Sequence, residues 1–456
     1  MTFAGASKVH FIGIGGAGMS AIAKVLLERG VAVSGSDLKG SRAVTVLGAM
    51  GAEIAIGHRA DAIDGAELIV MSAAIPKTNP ELVEARARGI RVLGRGEALA
   101  ELVRGGRSIV VAGTHGKTTT TSMIVSILRA SGADPTYLVG GGLNDAGTNA
   151  RSGVDDLIVA ESDESDGSFL LLDPYVAVVT NIEMDHVDHW ASFDELNDAF
   201  ARFIASTAEA GAIAVPAGGM IEEMARATGR RVVTFGPDGD VSALDAKADG
   251  HETTFMLESG GASAEVRLHA LGEHNIANAL AAAAACEVVG FDIDAIASGL
   301  ASYRGVERRF DVQGSARGIT VVDDYAHHPT EVRATLSAAR LGPWDRVVAV
   351  FQPHRYSRTA ALHAQFGAAF GDADTVVVTD VYGAGEEPVP GVTGKLISDA
   401  VCASIPGRSV VYLPHRSDVL TYLGTTVRPG DLVLTLGAGD ITSYGDELLA
   451  ALEDRP

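Results

Sequence analysis

The chain predicts an α/β protein of three domains, and three observations carry that reading. Strand-like apolar runs alternate with helix-like ones almost throughout, the pattern of parallel strands layered with helices. Two glycine-rich loops each join such a strand to such a helix. The length of 456 residues exceeds what one hydrophobic core supports and fits about three domains. A glycine pair at Arg104-Gly105-Gly106-Arg107 marks the first division, and the second falls between Arg308 and Gly314. The expected domains are therefore 1–106, 107–312 and 313–456.

In the first domain, residues 9–14 read as a strand, 19–28 as a helix and 31–33 as a second strand leading to Asp37. Gly13-Ile14-Gly15-Gly16-Ala17-Gly18 joins the first two. The spacing satisfies the dinucleotide-binding fingerprint and predicts a Rossmann-like domain. The physics requires only a pyrophosphate on a helix N-terminus, so a UDP-sugar fits as well as a nicotinamide cofactor. Taken alone, the loop also suits an oxidoreductase, or a glycine turn kept for close helix–strand packing.

The second domain opens on an apolar strand, 109–112, followed by Gly113-Thr114-His115-Gly116-Lys117-Thr118 and a helix over 119–130. Backbone N–H groups and the helix N-terminus would face a phosphate, Lys117 would neutralise its outer charge, and the Thr118 hydroxyl could ligate magnesium. The match is to a shortened nucleoside-triphosphate loop, because Val111 stands where the full signature has glycine. Residues 156–161 form a strand that delivers Glu161 at its C-terminal end, where open parallel sheets bind ligands and where a carboxylate would share magnesium with Thr118. Residues 178–181 read as another strand, ahead of Asp185-His186-Val187-Asp188-His189. That cluster suits a second magnesium with His186 as ligand; zinc lacks a clear third ligand downstream, and a plain surface loop is the other reading. The alanine-rich helix over 277–289 predicts a tightly packed core element. Strands at 320–322, 347–350, 375–378, 410–412 and 432–436 predict a Rossmann-like third domain.

Composition narrows the partners. The net charge is −22, with 12 basic and 10 acidic side chains in residues 1–106 against 13 and 31 in residues 107–312. No basic face suits a nucleic-acid backbone, and the acidic middle needs magnesium to hold a triphosphate. No apolar run is long enough to span a bilayer, and the N-terminus lacks a signal-peptide pattern. Cys286 and Cys402 stand apart, which points to a reducing cytoplasm.

Taken together, the motifs resemble the Mur ligase family, the ATP-dependent amide-bond ligases of peptidoglycan synthesis. The resemblance spans all three segments. It rests on the 113–118 loop, Glu161-Ser162-Asp163-Glu164-Ser165-Asp166, Thr180-Asn181-Ile182 through His186, and Gly272-Glu273-His274-Asn275 with Asn278. Arg308-Arg309-Phe310, Asp323-Asp324-Tyr325-Ala326-His327-His328-Pro329-Thr330 and Gly437-Ala438-Gly439-Asp440 complete it. The opening residues 10–20, the loop histidine and Phe351-Gln352-Pro353-His354-Arg355-Tyr356-Ser357-Arg358 resemble the alanine-adding branch. Sister ligases carry a carbamylated lysine near the magnesium, and no lysine lies between Thr118 and Ala246 here.

What the resemblance implies is an enzyme that activates the lactyl carboxylate of UDP-N-acetylmuramate as an acyl phosphate and passes it to L-alanine. ATP would be held by Gly113, Thr114, His115, Gly116, Lys117, Thr118 and Thr119, with Asn275 and Asn278 at the adenine and Arg309 and Asp324 on the nucleotide. Gly15, Gly16, Ala17, Gly18, Met19, Ser20, Ser36, Asp37, Ser72 and His186 would contact the UDP-sugar. Thr118, Glu161 and His186 would hold two magnesium ions, for which manganese could substitute. Lys117, Tyr325, His327, Arg355 and Arg358 would carry the chemistry, the two arginines gripping carboxylates in a bidentate way that lysine cannot reproduce. The expected protein is a cytoplasmic monomer or homodimer. A ligase for recycled murein tripeptide, a dehydrogenase and a phosphate-loop regulatory protein are the other readings.

Overall fold

The structure is a computed structural model that describes residues 3–104, 106–185 and 189–453. Its strands form three sheets. In the first, β1 (Lys8–Ile12), β2 (Ala32–Asp37), β3 (Glu53–Ile56), β4 (Leu68–Met71) and β5 (Arg91–Gly94) lie in the order β3-β2-β1-β4-β5, all parallel. The order reverses beside β1, so the crevice for a ligand opens at the glycine loop that follows it. β2 runs on to Asp37 rather than stopping at Val33, because each of residues 33–36 is buried on the sheet.

The second sheet has ten strands: β6 (Arg107–Ala112), β7 (Thr136–Leu143), β8 (Thr148–Arg151), β9 (Leu157–Glu161), β10 (Val176–Val179), β11 (Ala212–Pro216), β12 (Arg231–Phe235), β13 (Val241–Asp249), β14 (Glu252–Ser259) and β15 (Ala262–Leu268). Their order is β15-β14-β13-β12-β11-β10-β6-β9-β7-β8. β6 lies centrally between β10 and β9, both parallel to it, and carries the phosphate loop at its C-terminal end. Two features differ from the sequence expectation. β13, β14 and β15 form an antiparallel meander, and β14 alternates buried and half-buried positions, the period of a strand with one wet face. β10 spans Val176–Val179, and Thr180 and Asn181 leave the sheet to brace the loop beside it. The helix Glu273–Val288 buries all of Ala279 to Ala285.

The third sheet comprises β16 (Asp311–Ala316), β17 (Ile319–Asp324), β18 (Arg346–Phe351), β19 (Thr375–Val378), β20 (Ser409–Tyr412) and β21 (Asp431–Leu436), ordered β16-β17-β21-β18-β19-β20. β16 is its one antiparallel strand and crosses the 312/313 division expected above. One apolar core runs continuously through the first and second units, joining Phe11, Leu99 and Leu102 to Phe169 and Phe200. The third unit's sheet is covered by its own two clusters, so polar contacts carry much of its attachment to the central unit. Such interfaces permit relative motion.

Candidate active site

The phosphate loop is built from its glycines. Gly113 and Gly116 sit at φ +132° and +81°, and a Cβ would lie 2.1 Å from Thr180 Oγ1 at the first and 2.3 Å from Asn278 Oδ1 at the second. Only glycine permits that approach. The loop is then fixed from outside. Thr180 Oγ1 and Asn181 Nδ2 donate to the His115 carbonyl at 2.6 and 3.0 Å, and the His115 N–H donates to Asn181 Oδ1 at 2.9 Å.

Lys117 is folded onto its own loop. Its Nζ donates to the carbonyls of Gly113 (2.5 Å) and Thr114 (3.2 Å) and to Glu164 Oε2 (2.8 Å). Burial alone would lower its pKa, but the carboxylates of Glu164 and Asp163 outweigh that and raise it, so the amine stays charged. The Thr118 hydroxyl donates to Glu161 Oε1 at 2.9 Å, and the Gly140 N–H holds the other Glu161 oxygen at 2.6 Å. A hydroxyl from the first turn of the helix Lys117–Ala130 and a carboxylate from the end of β9 thus meet beside the loop, a hard donor set that fits magnesium. His186, the remaining expected ligand, lies outside the described residues.

A cleft of about 840 Å³ joins the three units at this point. The first unit supplies Gly15, Ala17, Gly18 and Ser20, the second Lys117, Thr118 and Glu161, and the third Tyr325, His327, Arg355 and Arg358. Asp37 Oδ2 accepts from the Gly15 N–H at 2.8 Å, tying the glycine loop to the end of β2. Other expected contacts do not present side chains here. Met19 is core, and the Ser36 hydroxyl turns away into a buried network, donating to Glu81 Oε2 at 2.7 Å. The Ser36 carbonyl still braces the loop, accepting from the N–H groups of Gly13 and Ile14. Gly16 is exposed at the helix cap, and Ser72 packs beneath Gly13.

Across the phosphate loop lies a second cavity of about 650 Å³, lined by His115, Gly116, Thr119, Asn275, Asn278, Arg309 and Asp324 among others. Asn275 Nδ2 donates to the Leu271 carbonyl, and Asn278 bridges Thr120 and Asn275. Burial pushes the Asp324 carboxyl up to about 6, against the pull of Arg309 and two backbone N–H groups, from Phe310 and Ala326.

The third unit brings a cluster of rings and guanidinium groups. Arg308 and Arg309 lie over the Tyr325 ring, 4.9 and 5.3 Å from its centre. His327 Nδ1 lies 3.0 Å from the Tyr325 carbonyl, an arrangement that requires the proton on Nδ1 and leaves a lone pair on Nε2. Burial is the main reason its pKa falls to about 4. Arg355 holds φ +68°, a strained backbone at the cleft edge. Arg358 departs from expectation. Its Nε and Nη2 hydrogens are committed to Asp185 at 3.1–3.3 Å and its Nη1 faces His354 Nδ1 at 3.2 Å, so its bidentate Nε–Nη2 edge is taken by Asp185 rather than offered to the cleft.

Four acidic residues of the site carry no role in the sequence reading, although Glu164, Glu183 and Asp185 lie within its motifs. Glu164 and Asp185 hold Lys117 and Arg358, while Glu183 and Glu331 flank the loop histidine. His115 Nε2 lies 3.0 Å from Glu183 Oε2, and Nδ1 lies 3.3 Å from Glu331 Oε1. Burial would depress this imidazole, but the two carboxylates more than offset it and raise its pKa to about 9. The same His115 contact, against burial, holds the Glu183 carboxyl down at about 2. The pattern of His328, Pro329 and Glu331 signals a helix start, and Glu331 does cap it, but nothing local indicates its reach to His115.

A central sheet with a phosphate loop, flanked by two smaller α/β units that close one cleft over it, defines a nucleotide-dependent enzyme of three-domain ligase architecture. Family models match in order along the chain: the Mur ligase family catalytic domain over residues 8–107, the Mur ligase middle domain over 111–286 and the Mur ligase glutamate ligase domain over 308–439. The chain belongs to the Mur ligase family. It is 51% identical over 448 residues to the UDP-N-acetylmuramate–L-alanine ligase of Rubrobacter xylanophilus, covering 98% of this chain and 100% of that one. It is 48% identical to the ligase of the same name from Mycolicibacterium smegmatis, covering 98% and 95%. Among solved structures it resembles the UDP-N-acetylmuramate–alanine ligase of Thermotoga maritima, with a TM-score of 0.82 and 30% identity over 97% of this chain and 98% of that one. The murein peptide ligase of Psychrobacter arcticus gives 0.71 and 25%, with 99% of each chain covered.

Proposed function

We propose that this protein is the ATP-dependent ligase that joins L-alanine to the lactyl carboxylate of UDP-N-acetylmuramate, releasing ADP and phosphate. The observation that carries the reading is the 51% identity, over the full length of the relative, to an enzyme of that name. In this reading the first unit binds the UDP-sugar, the second ATP and the third the amino acid. The carboxylate attacks the γ-phosphorus, ADP leaves, and the alanine amine then displaces phosphate from the acyl phosphate. Lys117 would leave its loop carbonyls to neutralise the transferring group. Thr118 and Glu161 would hold magnesium, which supplies further charge neutralisation there. His327 Nε2 offers an acceptor for the proton of the attacking amine. Arg355 would orient a substrate carboxylate, while Arg358, through Asp185, would hold the third unit in place. Closure of that unit would keep water from the acyl phosphate.

We place the enzyme in the cytoplasm, as a monomer or homodimer. Among the described residues no helix is long and apolar enough to cross a membrane. The test is phosphate release from ATP and magnesium with UDP-N-acetylmuramate, with and without L-alanine, beside murein tripeptide and glycine. Release that needs both UDP-N-acetylmuramate and L-alanine, with the matching product mass, supports the reading. Release only with tripeptide would move it to the recycling ligase.

A further inference from the structure

At the partition between the two cavities, we propose that Glu331 is a positioning residue for the ligation: its carboxylate clasps the phosphate loop of the central unit to the turn of the third unit that presents His327. The catalytic half of this role rests on the function proposed above. Glu331 lines both the cleft shared by the three units and the cavity across the phosphate loop. It stands in the first turn of the helix Pro329–Arg340 and is only 12% exposed. Oε2 accepts the N–H groups of His327 and His328 at 3.0 and 3.2 Å, which fixes the turn behind the His327 ring. Oε1 lies 3.3 Å from His115 Nδ1 in the phosphate loop and 3.8 Å from Arg309 Nη1. Helix capping accounts for the first oxygen and not for the second.

The contact closes a ring between the units. His115 donates from Nδ1 to Glu331 and from Nε2 to Glu183 Oε2 at 3.0 Å, while Thr330, next to Glu331, donates from Oγ1 to Glu183 Oε1 at 2.7 Å. Burial opposes charge on the His115 ring, and the two carboxylates outweigh it. Arg309 beside Glu331 adds a second cation, so two positive groups face two negative ones. Swinging the third unit away parts His115 from Glu331 and Thr330 from Glu183 at once. The closed arrangement is therefore the one that pairs them all, and whatever orders the phosphate loop also holds His327 in place. A loosened clasp admits water to the acyl phosphate. Water then adds at the acyl carbon and phosphate leaves, returning the free carboxylate, so ATP is consumed without an amide being formed.

The test compares Glu331→Gln, His115→Gln and the unaltered chain, all at full length. Glutamine keeps the capping box through its amide oxygen and removes the charge that faces His115. Hydrogen–deuterium exchange, read by mass spectrometry without substrates, comes first. Glu331→Gln should speed exchange across residues 113–118 by about fivefold or more, and His115→Gln should do the same across 325–331, because a coupling between two sites acts in both directions. Exchange that changes only around the substituted residue, in either variant, overturns the clasp. The second readout uses ATP, magnesium, UDP-N-acetylmuramate and L-alanine. The unaltered chain should release one phosphate per amide formed, and both variants more than one. That ratio does not depend on how much of a preparation is active, so a variant that is merely less stable leaves it unmoved. Equal yields of phosphate and amide in both variants overturn the positioning role. An unaltered chain that forms no amide refutes the proposed function, while the exchange data still decide the clasp. If circular dichroism shows Glu331→Gln unfolded, His115→Gln decides.

Discussion

Arg358 of the third unit holds Asp185 of the central unit through three hydrogen bonds of 3.1–3.3 Å, with both side chains less than a tenth exposed. A guanidinium matched to a carboxylate in this way is a directional contact between bodies that otherwise keep separate cores. Removing Arg358 strips the buried Asp185 carboxylate of three hydrogen bonds. Arg358→Met should therefore destabilise the closed arrangement by about 3–5 kcal/mol, and Asp185→Asn added to it should recover part of the loss. A double-mutant cycle on thermal unfolding checks this; strictly additive effects would contradict it.

Lys117→Ala should leave the far-UV circular dichroism native and lower phosphate release by about 10²–10³-fold or more, because the transferring group loses its fixed positive neighbour. Normal turnover in that variant would remove the case for ATP at this loop.

Gly116→Ala places a methyl group 2.3 Å from Asn278 Oδ1 at φ +81°. The left-handed backbone alone costs about 1–2 kcal/mol, before the clash is counted. Binding of a fluorescent ADP analogue should weaken sharply, while UDP-sugar binding, measured by calorimetry, should stay within about twofold if the first unit binds its ligand separately.

Glu81 is fully buried beneath the first unit's glycine loop. Burial pushes its pKa up, but hydrogen bonds from His10 and Ser36, with His58 beside them, outweigh that and hold it below its ordinary 4.5. A depressed carboxyl stabilises the fold fully above its unfolded value, and the stabilisation is lost as pH falls through the folded one. The melting-temperature advantage of wild type over Glu81→Gln should thus be constant from pH 7 down to about 5 and shrink on acidification below 4.5. An advantage that grows toward acid pH would show the network is held otherwise.

Arg355→Lys should impair use of the amino acid or the muramate substrate and leave ATP binding intact, since the residue stands at the third unit's edge of the cleft. Steady-state kinetics with each substrate varied in turn decides it; a selective loss of ATP affinity would contradict the placement.

The local pattern of the chain determined a great deal. Strand, glycine turn and helix follow one another at residues 8–28 and 107–130, where backbone geometry depends on neighbours a few positions away. Glycine at 113 and 116, lysine at 117 and threonine at 118 suffice to mark a phosphate cradle, because N–H groups at a helix start need no distant partner. The antiparallel meander from Val241 to Leu268 was less legible, since its alternation is interrupted and its edge strand is largely exposed. Packing alone decided the partners. His115 meets Glu331 across 216 positions, Arg358 meets Asp185 across 173, and Ser36 turns inward to Glu81 instead of outward to a ligand. Periodicity states which face of an element is apolar. It does not state which charged group will stand opposite another when three sheets close on one cleft, and at that contact burial makes each pairing strong enough to set the chemistry.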